Sequence, residues 1–444
     1  MKKNKKIGIG IIVVISLLIL LSFFIPIRSF LNQAEEIASQ QLGVPVQIGS
    51  GHIRLLPTPR VVLRDITVGK ASDLQFSHVA AVPSLDSLFS ATKVLEIQIK
   101  EIQVKKSALD LVSALSNQKP ASEQAASPVH IRQISIAALQ LDWPDMKLPV
   151  MQLSLNLNAD HTLDSAQLKT QDDKVSIEVT PDAKTHRITL RAEQYTLPVG
   201  MPILVDKASM QMLLKGQMLD IHQVDIAMYQ GKINGSMRLM WDKNWRLQGQ
   251  LKVAKLSLQQ PSRLVSPKVY LSGTLQSQGS FSASAKDAAK LADHLRADFK
   301  FAVNDGVLHG LDLVKIASLL TKQSNGGQTQ FDEFTGAIRV VGKQYHLQDL
   351  KIASGLLAGT GQVKIKPDQS LDGTAEVELK NSASLVAIPL DISGTVNDPL
   401  VLPSKAALAG AVAGTAVLGP GLGTSLGMKA GTAVEKFKGL FDGD

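Results

Sequence analysis

Gly423-Thr424-Ser425-Leu426-Gly427 has the G-x-S-x-G spacing that presents a nucleophilic serine on a sharp turn in α/β hydrolases. That chemistry needs a strand before the serine, and an acid and a histidine after it in chain order. Here an Ala/Gly-rich stretch precedes the serine and no histidine follows it, so the match is a coincidence of small residues. The nine histidines (His52, His78, His130, His161, His186, His222, His294, His309 and His346) are scattered, and none has H-E-x-x-H or another metal-ligand spacing. The adjacent carboxylates Asp172-Asp173 and Glu35-Glu36 read as solvated faces or turns rather than acid–base pairs. No P-loop and no G-x-G-x-x-G in a strand–turn–helix setting occurs. With no cysteine, a disulfide framework, an iron–sulfur cluster, a thiolate zinc site and a Cys nucleophile are excluded. The residues therefore predict no enzyme activity, no cofactor and no metal.

The 444 residues are 44% hydrophobic, which is enough apolar surface to exclude global disorder, but only 4% aromatic. So few rings argue against modules that stack nucleic-acid bases. The net charge is +8, and Lys2, Lys3, Lys5 and Lys6 supply half of it, so the body carries only about +4. Nucleic acid is not expected as a partner. The four lysines precede an apolar run over residues 7–25, long enough to cross a hydrocarbon core of about 30 Å as a helix. Pro26-Ile27-Arg28-Ser29-Phe30 follows without a small-x-small cleavage site, which predicts an uncleaved anchor with the lysines held in the cytoplasm.

The body alternates apolar and polar residues with period two. Leu95, Ile97 and Ile99 alternate with Glu96, Gln98 and Lys100. Met151, Leu153, Leu155 and Leu157 alternate with Gln152, Ser154 and Asn156. Val175, Ile177 and Val179, then Leu247, Leu251 and Val253, then Phe299 and Phe301, repeat the scheme. Val363 with Ile365 and Val377 with Leu379 close it. This is the pattern of strands with one apolar and one wet face, and most gaps suit antiparallel connections. A one-sided sheet must bury its apolar face. Periodicity alone leaves a dry sandwich or barrel and a curled sheet around an apolar groove both open.

Helical stretches are few. Ile27–Leu42, with Phe30, Ala34, Ile37 and Ala38 at helical spacing and Gly43 as its stop, is the clearest; Ala285–Leu295 and Leu311–Leu320 are shorter candidates, with Asn304-Asp305-Gly306 read as a turn before the second. Residues 116–128 read as a Pro/Ser/Ala/Gln-rich surface linker. Met201, Met210, Met212, Met218, Met228, Met237 and Met240 cluster, either as core packing or as a compliant apolar floor. In the tail, Ala406–Met428 is uncharged, and glycines four apart at Gly410/Gly414 and Gly419/Gly423/Gly427/Gly431 would let two helices approach closely.

Several segments together resemble the AsmA family. They are the anchor and following helix, Gly43-Val44-Pro45-Val46, Leu56-Pro57-Thr58-Pro59 with Leu63-Arg64-Asp65-Ile66, and the stretch Val82–Val104. Asn304-Asp305-Gly306-Val307-Leu308, Phe331-Asp332-Glu333-Phe334-Thr335-Gly336 and Ile392-Ser393-Gly394-Thr395-Val396-Asn397-Asp398-Pro399 carry the likeness into the C-terminal half. The resemblance implies a mainly β fold: a transmembrane helix, then a long curled antiparallel sheet forming an elongated apolar groove, with a few short helices and a Gly/Ala-rich helical tail. It implies an inner-membrane protein with its bulk in the periplasm, handling phospholipids without catalysis. The outer membrane or envelope proteins would be further partners. The period-two residues named above become groove candidates, and the expected organisation is 1–6 cytoplasmic, 7–27 anchor, 28–115 N-terminal β region, 116–128 linker, 129–403 groove region and 404–444 tail. At ~4.8 Å per strand, roughly 20 strands would make a groove on the order of 100 Å long. The competing expectation is an assembly scaffold with a dry β core.

Overall fold

The computed structural model describes residues 27–54, 58–87, 90, 92–108, 129–143, 147–319, 326–380 and 387–409. The expected anchor, the 116–128 linker and nearly all of the tail lie outside these residues. Among the described residues no helix is long and apolar enough to cross a membrane. The protein is mainly β, and its chain divides into two compact units, Met1–Pro202 and Ile203–Asp444. That boundary falls inside the stretch expected as one groove region, 129–403.

The first unit opens with helix α1 (Ile27–Leu42), bounded as the periodicity predicts and stopped by Gly43 at φ 67°. Strands β1 (Val46–Arg54), β2 (Arg60–Val68) and β3 (Leu74–Pro83) follow as an antiparallel meander. Next come β4 (Lys93–Ile99) and β5 (Ile102–Lys105), two halves of one broken strand, both antiparallel to β3. The sequence expectation of a wholly antiparallel sheet fails at the next step. β6 (Val129–Asp142) runs parallel to β4 and β5. The chain between Lys105 and Val129 is longer than the dozen or so residues a crossover needs, so it can return to the starting end before pairing. β7 (Met151–Leu157), β8 (Leu163–Thr170), β9 (Val175–Asp182) and β10 (Thr185–Thr196) resume the antiparallel meander.

An edge strand exposes unpaired N–H groups, and α1 covers those of β1. The Ile48 N–H donates to Glu35 Oε1 and the Val46 N–H to Ser39 Oγ at 2.9 Å. Ala38 and Leu42 pack on Val46, Ile66 and Val68, whereas Phe30 and Ile37, expected on the same apolar face, are exposed. Losing a hydrogen bond to a charged group costs about 1.5–3 kcal/mol. Glu35→Ala is therefore expected to destabilise the first unit by about that amount. Faster amide exchange at Ile48 checks this, and unchanged exchange would mean that the carboxylate does not guard the edge.

In the second unit, twelve strands pair strictly in chain order, each antiparallel to the last. They are β11 (Leu204–Lys215), β12 (Met218–Met228), β13 (Gly231–Trp241), β14 (Trp245–Ser257), β15 (Tyr270–Ala285), β16 (Arg296–His309), β17 (Gln328–Val341), β18 (Gln344–Ala353), β19 (Leu357–Ile365), β20 (Leu371–Leu379), β21 (Ala387–Thr395) and β22 (Asp398–Pro403). A seven-residue helix, α2 (Gln259–Val265), joins β14 to β15, and α3 (Leu313–Leu319) follows β16. The helix expected over Ala285–Leu295 is instead two 3-10 turns at Ala288–Lys290 and Ala292–His294; Asp287 caps the first by accepting from the Ala289 N–H. Asn304-Asp305-Gly306 is not a turn but an irregularity inside β16, with Asp305 at φ 50°. Asn, Asp and Gly suit that left-handed backbone in a bulge as well as in a turn. Lys255 and Asp349 hold the same conformation beside register shifts in β14 and β18.

The packed core sits at the end of this sheet. Ile316 and Ala317 of α3 are buried against Leu357, Val377, Ile388, Leu390 and Val401 of β19–β22. Residues 405–409 begin a further helical turn there, and Ala407 is fully buried.

Candidate functional site

Register and alternation place one continuous apolar row after another on a single face of each sheet. In the first unit one row runs Ala81, Ile97, Ile134, Leu155, Ala166, Val179, Ile188. Its neighbour runs Val79, Ile99, Ile136, Leu153, Leu168, Ile177, Leu190. The opposite face carries Ala80, Gln98, Ser135, Ser154, Gln167, Glu178 and Thr189 in the interleaved row. In the second unit a row crosses all twelve strands without a charge: Met210, Val224, Gly235, Leu251, Gly279, Phe299, Ile338, Leu347, Val363, Gly373, Ile392, Val401. Twelve strands at ~4.8 Å spacing make that row about 50 Å long.

The structure puts every period-two candidate on these faces. Leu95, Ile97, Ile99, Met151, Leu153, Leu155, Leu157, Val175, Ile177 and Val179 share the face of the first unit. Leu247, Leu251, Val253, Phe299, Phe301, Val363, Ile365, Val377 and Leu379 share that of the second. The methionine cluster divides: Met210, Met212, Met228 and Met237 join this face, Met218 and Met240 pair with each other on the opposite one, and Met201 is exposed.

The face is not a filled core over most of its length. Every apolar residue of β7 and β9 is only half-buried, as are Leu251, Phe299, Ile338, Leu347 and Val363 in the second unit. At the α3 end the face lines a half-open apolar pocket of about 300 Å³. Leu308, Phe334, Leu347, Leu350, Ile352 and Val363 contribute to its wall, and Thr360 is the one polar side chain among its lining residues. A dry apolar void of even about 150 Å³ accepts small apolar ligands.

The lining departs from the smooth aliphatic surface that the composition suggests. Phe301, Phe331 and Phe334 make edge-on contacts with centroids 5.4 and 5.8 Å apart, and Phe299 and Phe281 lie on the same face. Five of the chain's twelve phenylalanines thus lie on β15–β17. The Phe331–Phe334 motif was legible in the sequence, but its role was not. Phe331 is 3% exposed and seats on Gly306, where an added Cβ would lie 2.3 Å from its ring. Gly306→Ala is expected to displace the ring and to cost about 1–3 kcal/mol, measured by denaturant unfolding. An unchanged midpoint would show that the close seat is unimportant.

The polar faces carry cross-strand charge pairs: Arg191–Glu178 at 3.5 Å, Arg238–Asp220 at 3.0 Å and Arg339–Asp298 at 2.8 Å. Such exposed pairs are worth ~0–1 kcal/mol each, and they keep that face wet. A polar furrow of about 890 Å³ between β13 and β18 belongs to it and is lined by Asn234, Lys252, Gln278, Asp298, Lys300 and Arg339 among others. Among the described residues no three His, Asp or Glu gather as a metal site. Ser272 Oγ lies 3.0 Å from His309 Nε2, a contact not foreseen from sequence. The imidazole stacks on Tyr270 at 4.3 Å, and the hydroxyl also donates to the Val307 carbonyl at 3.5 Å. Among the described residues no carboxylate holds the imidazole, as a nucleophile–base pair requires.

The mainly β fold, a long and largely antiparallel sheet with few helices, is the part of the implied architecture that the structure shows, and the family comparison agrees with the resemblance. The AsmA family model matches residues 1–187 and 188–341. The chain belongs to the AsmA family. It is not a known enzyme family, and a long β-sheet fold with this membership is consistent with a role in lipid transfer or the cell envelope. No curated protein and no solved structure matches this AsmA-family chain.

Proposed function

We propose that this protein shields lipid acyl chains on its apolar sheet faces and supports phospholipid transport between inner and outer membrane, without catalysis. The observation that supports this reading is the charge-free row across β11–β22, only partly buried along its middle and ending in an apolar pocket. An exposed methylene costs about 0.8 kcal/mol in water, and an apolar face removes that cost without recognising one lipid. The headgroup stays at the wet rim. In this reading residues 7–27 anchor the chain in the inner membrane, residues 1–6 stay in the cytoplasm and the bulk is periplasmic. The outer membrane or envelope proteins receive the cargo.

A scaffold with a dry core is the competing reading, and the packed cluster under α3 is the feature that favours it locally. Native mass spectrometry of the full chain extracted in mild detergent separates the two. Phospholipid adducts that survive detergent removal are expected. Lipid-free spectra would contradict the lipid reading and favour the scaffold.

A further inference from the structure

The polar face of the first sheet holds a second, differently built basin. It has a volume of about 530 Å³, and Arg54, Arg60, His78 and Lys100 contribute to its wall, with no acidic residue among the lining. Its floor is apolar although it lies on the wet face: Val62 is 1% exposed and Ala80 6%. The cations are stacked by the register rather than scattered. Arg54 pairs directly with Arg60 across β1–β2, Arg64 pairs with His78 across β2–β3, and the Lys100 N–H donates to the His78 carbonyl. Like charges placed opposite each other destabilise a sheet. Several cations elsewhere on the wet faces meet carboxylates, such as Arg191 with Glu178 and Arg187 with Asp182, but among the described residues Arg54, Arg60, Arg64 and Lys100 form no ion pair. An unbalanced cluster over an apolar floor suits an anion with an apolar attachment.

Helix α1 indicates which end of the sheet this is. Ser39 lies at Val46 and Glu35 at Ile48, so α1 runs antiparallel to β1. Seven further residues toward the helix start, at ~1.5 Å each, bring Arg28 about level with Gly51–His52 on the strand. The apolar run of residues 7–25 comes immediately before that helix end. The basic basin and the start of α1 therefore occupy the same end of the sheet.

We propose that the Arg54/Arg60/Lys100 basin, with Arg64 beside it across the ladder from His78, docks on the anionic phospholipid headgroups of the bilayer that residues 7–25 enter. This rests on the membrane-anchored reading above but not on acyl chains occupying the groove. Docking holds the sheet against its membrane and seats a headgroup phosphate among the cations, with the glycerol end over Val62 and Ala80. His52 and His78 add a pH response. Burial, then the neighbouring cations, hold both below the ordinary histidine value of 6.5. Arg54 and Arg64 act on both rings and Lys100 on His78, while Asp65 opposes them at His78. Both rings are therefore neutral at pH 7, and acidification adds charge to the basin and strengthens docking.

The absence of native cysteine allows a single reporter. Full chain carrying Gln98→Cys with a fluorophore is reconstituted in nanodiscs of phosphatidylcholine alone or mixed with phosphatidylglycerol, each doped with headgroup-spin-labelled lipid. Strong quenching is expected only with phosphatidylglycerol. Raising salt from ~0.1 to ~1 M shortens the screening length from about 10 to about 3 Å and should abolish it. Each cation near an anionic surface is worth about fivefold, so Arg64→Gln with Lys100→Gln should weaken docking ~25-fold, while Arg64→Lys with Lys100→Arg preserves it. Equal quenching in both lipids, or no effect of salt, would overturn the proposal whether or not the glutamine variant folds. Acyl photo-crosslinking at Leu155 in the same discs reports the groove separately: its loss with docking intact would count against the groove alone.

Discussion

Leu357→Ala lowers stability by about 2–5 kcal/mol, whereas Leu155→Ala lowers it by less than half as much. Leu357 is completely buried in the α3 cluster, so truncation removes its transfer energy and leaves a cavity that Val377 and Leu379 across the ladder cannot fill. Leu155 is only partly buried among the described residues, so truncation opens no fully enclosed void there. The measurement is chemical denaturation of each variant, with unfolding followed separately in the two units. Equal losses would mean that the face of β7 is as densely packed as the end of the second sheet, and the open-face account would fail.

Leu155→Asp and Leu251→Asp are expected to remove bound phospholipid while leaving the fold in place. A carboxylate in a filled core is severely destabilising, but on a half-exposed face it keeps its water. It would also put an ionised group where acyl methylenes must lie, at about 0.8 kcal/mol for each methylene driven back into water. The account predicts at least a several-fold drop in co-purified lipid with a melting temperature within a few degrees of the parent. Val377→Asp, at a site 2% exposed, is the contrasting variant and should unfold the end of the second sheet. Loss of folding in all three would place Leu155 and Leu251 in a packed core.

Much of this face was legible because side-chain period two does not depend on which strand pairs with which. Leu153 and Leu155 had to share a side, and the register only added that Ile136 and Ile134 flank them. The parallel entry of β6 was not legible, since residues 106–128 say that a crossover is possible and not that one is made. The bulges were hidden for a related reason. Asp305 and Asp349 each adopt a left-handed backbone within a strand, and one Asp or an Asn-Asp-Gly run reads equally well as a turn. Helix α2 spans seven residues and has too few turns to show a period. The basin on the wet face was missed because Arg54, Arg60, His78 and Lys100 are spread over 47 positions and only the ladder brings them together. The helix α3 segment was visible as apolar periodicity, but its place over β19–β22 is a long-range contact that no local pattern encodes.

Acyl photo-crosslinking along Met151–Leu157 and Leu247–Val253, one photoreactive residue at a time in the full chain, reads out directly which strand face meets lipid. Phospholipid adducts with period two are expected: strong at 151, 153, 155 and 157 and at 247, 251 and 253, absent at 152, 154 and 156 and at 248, 250 and 252. Adducts without that alternation, or none on the apolar face, would contradict it.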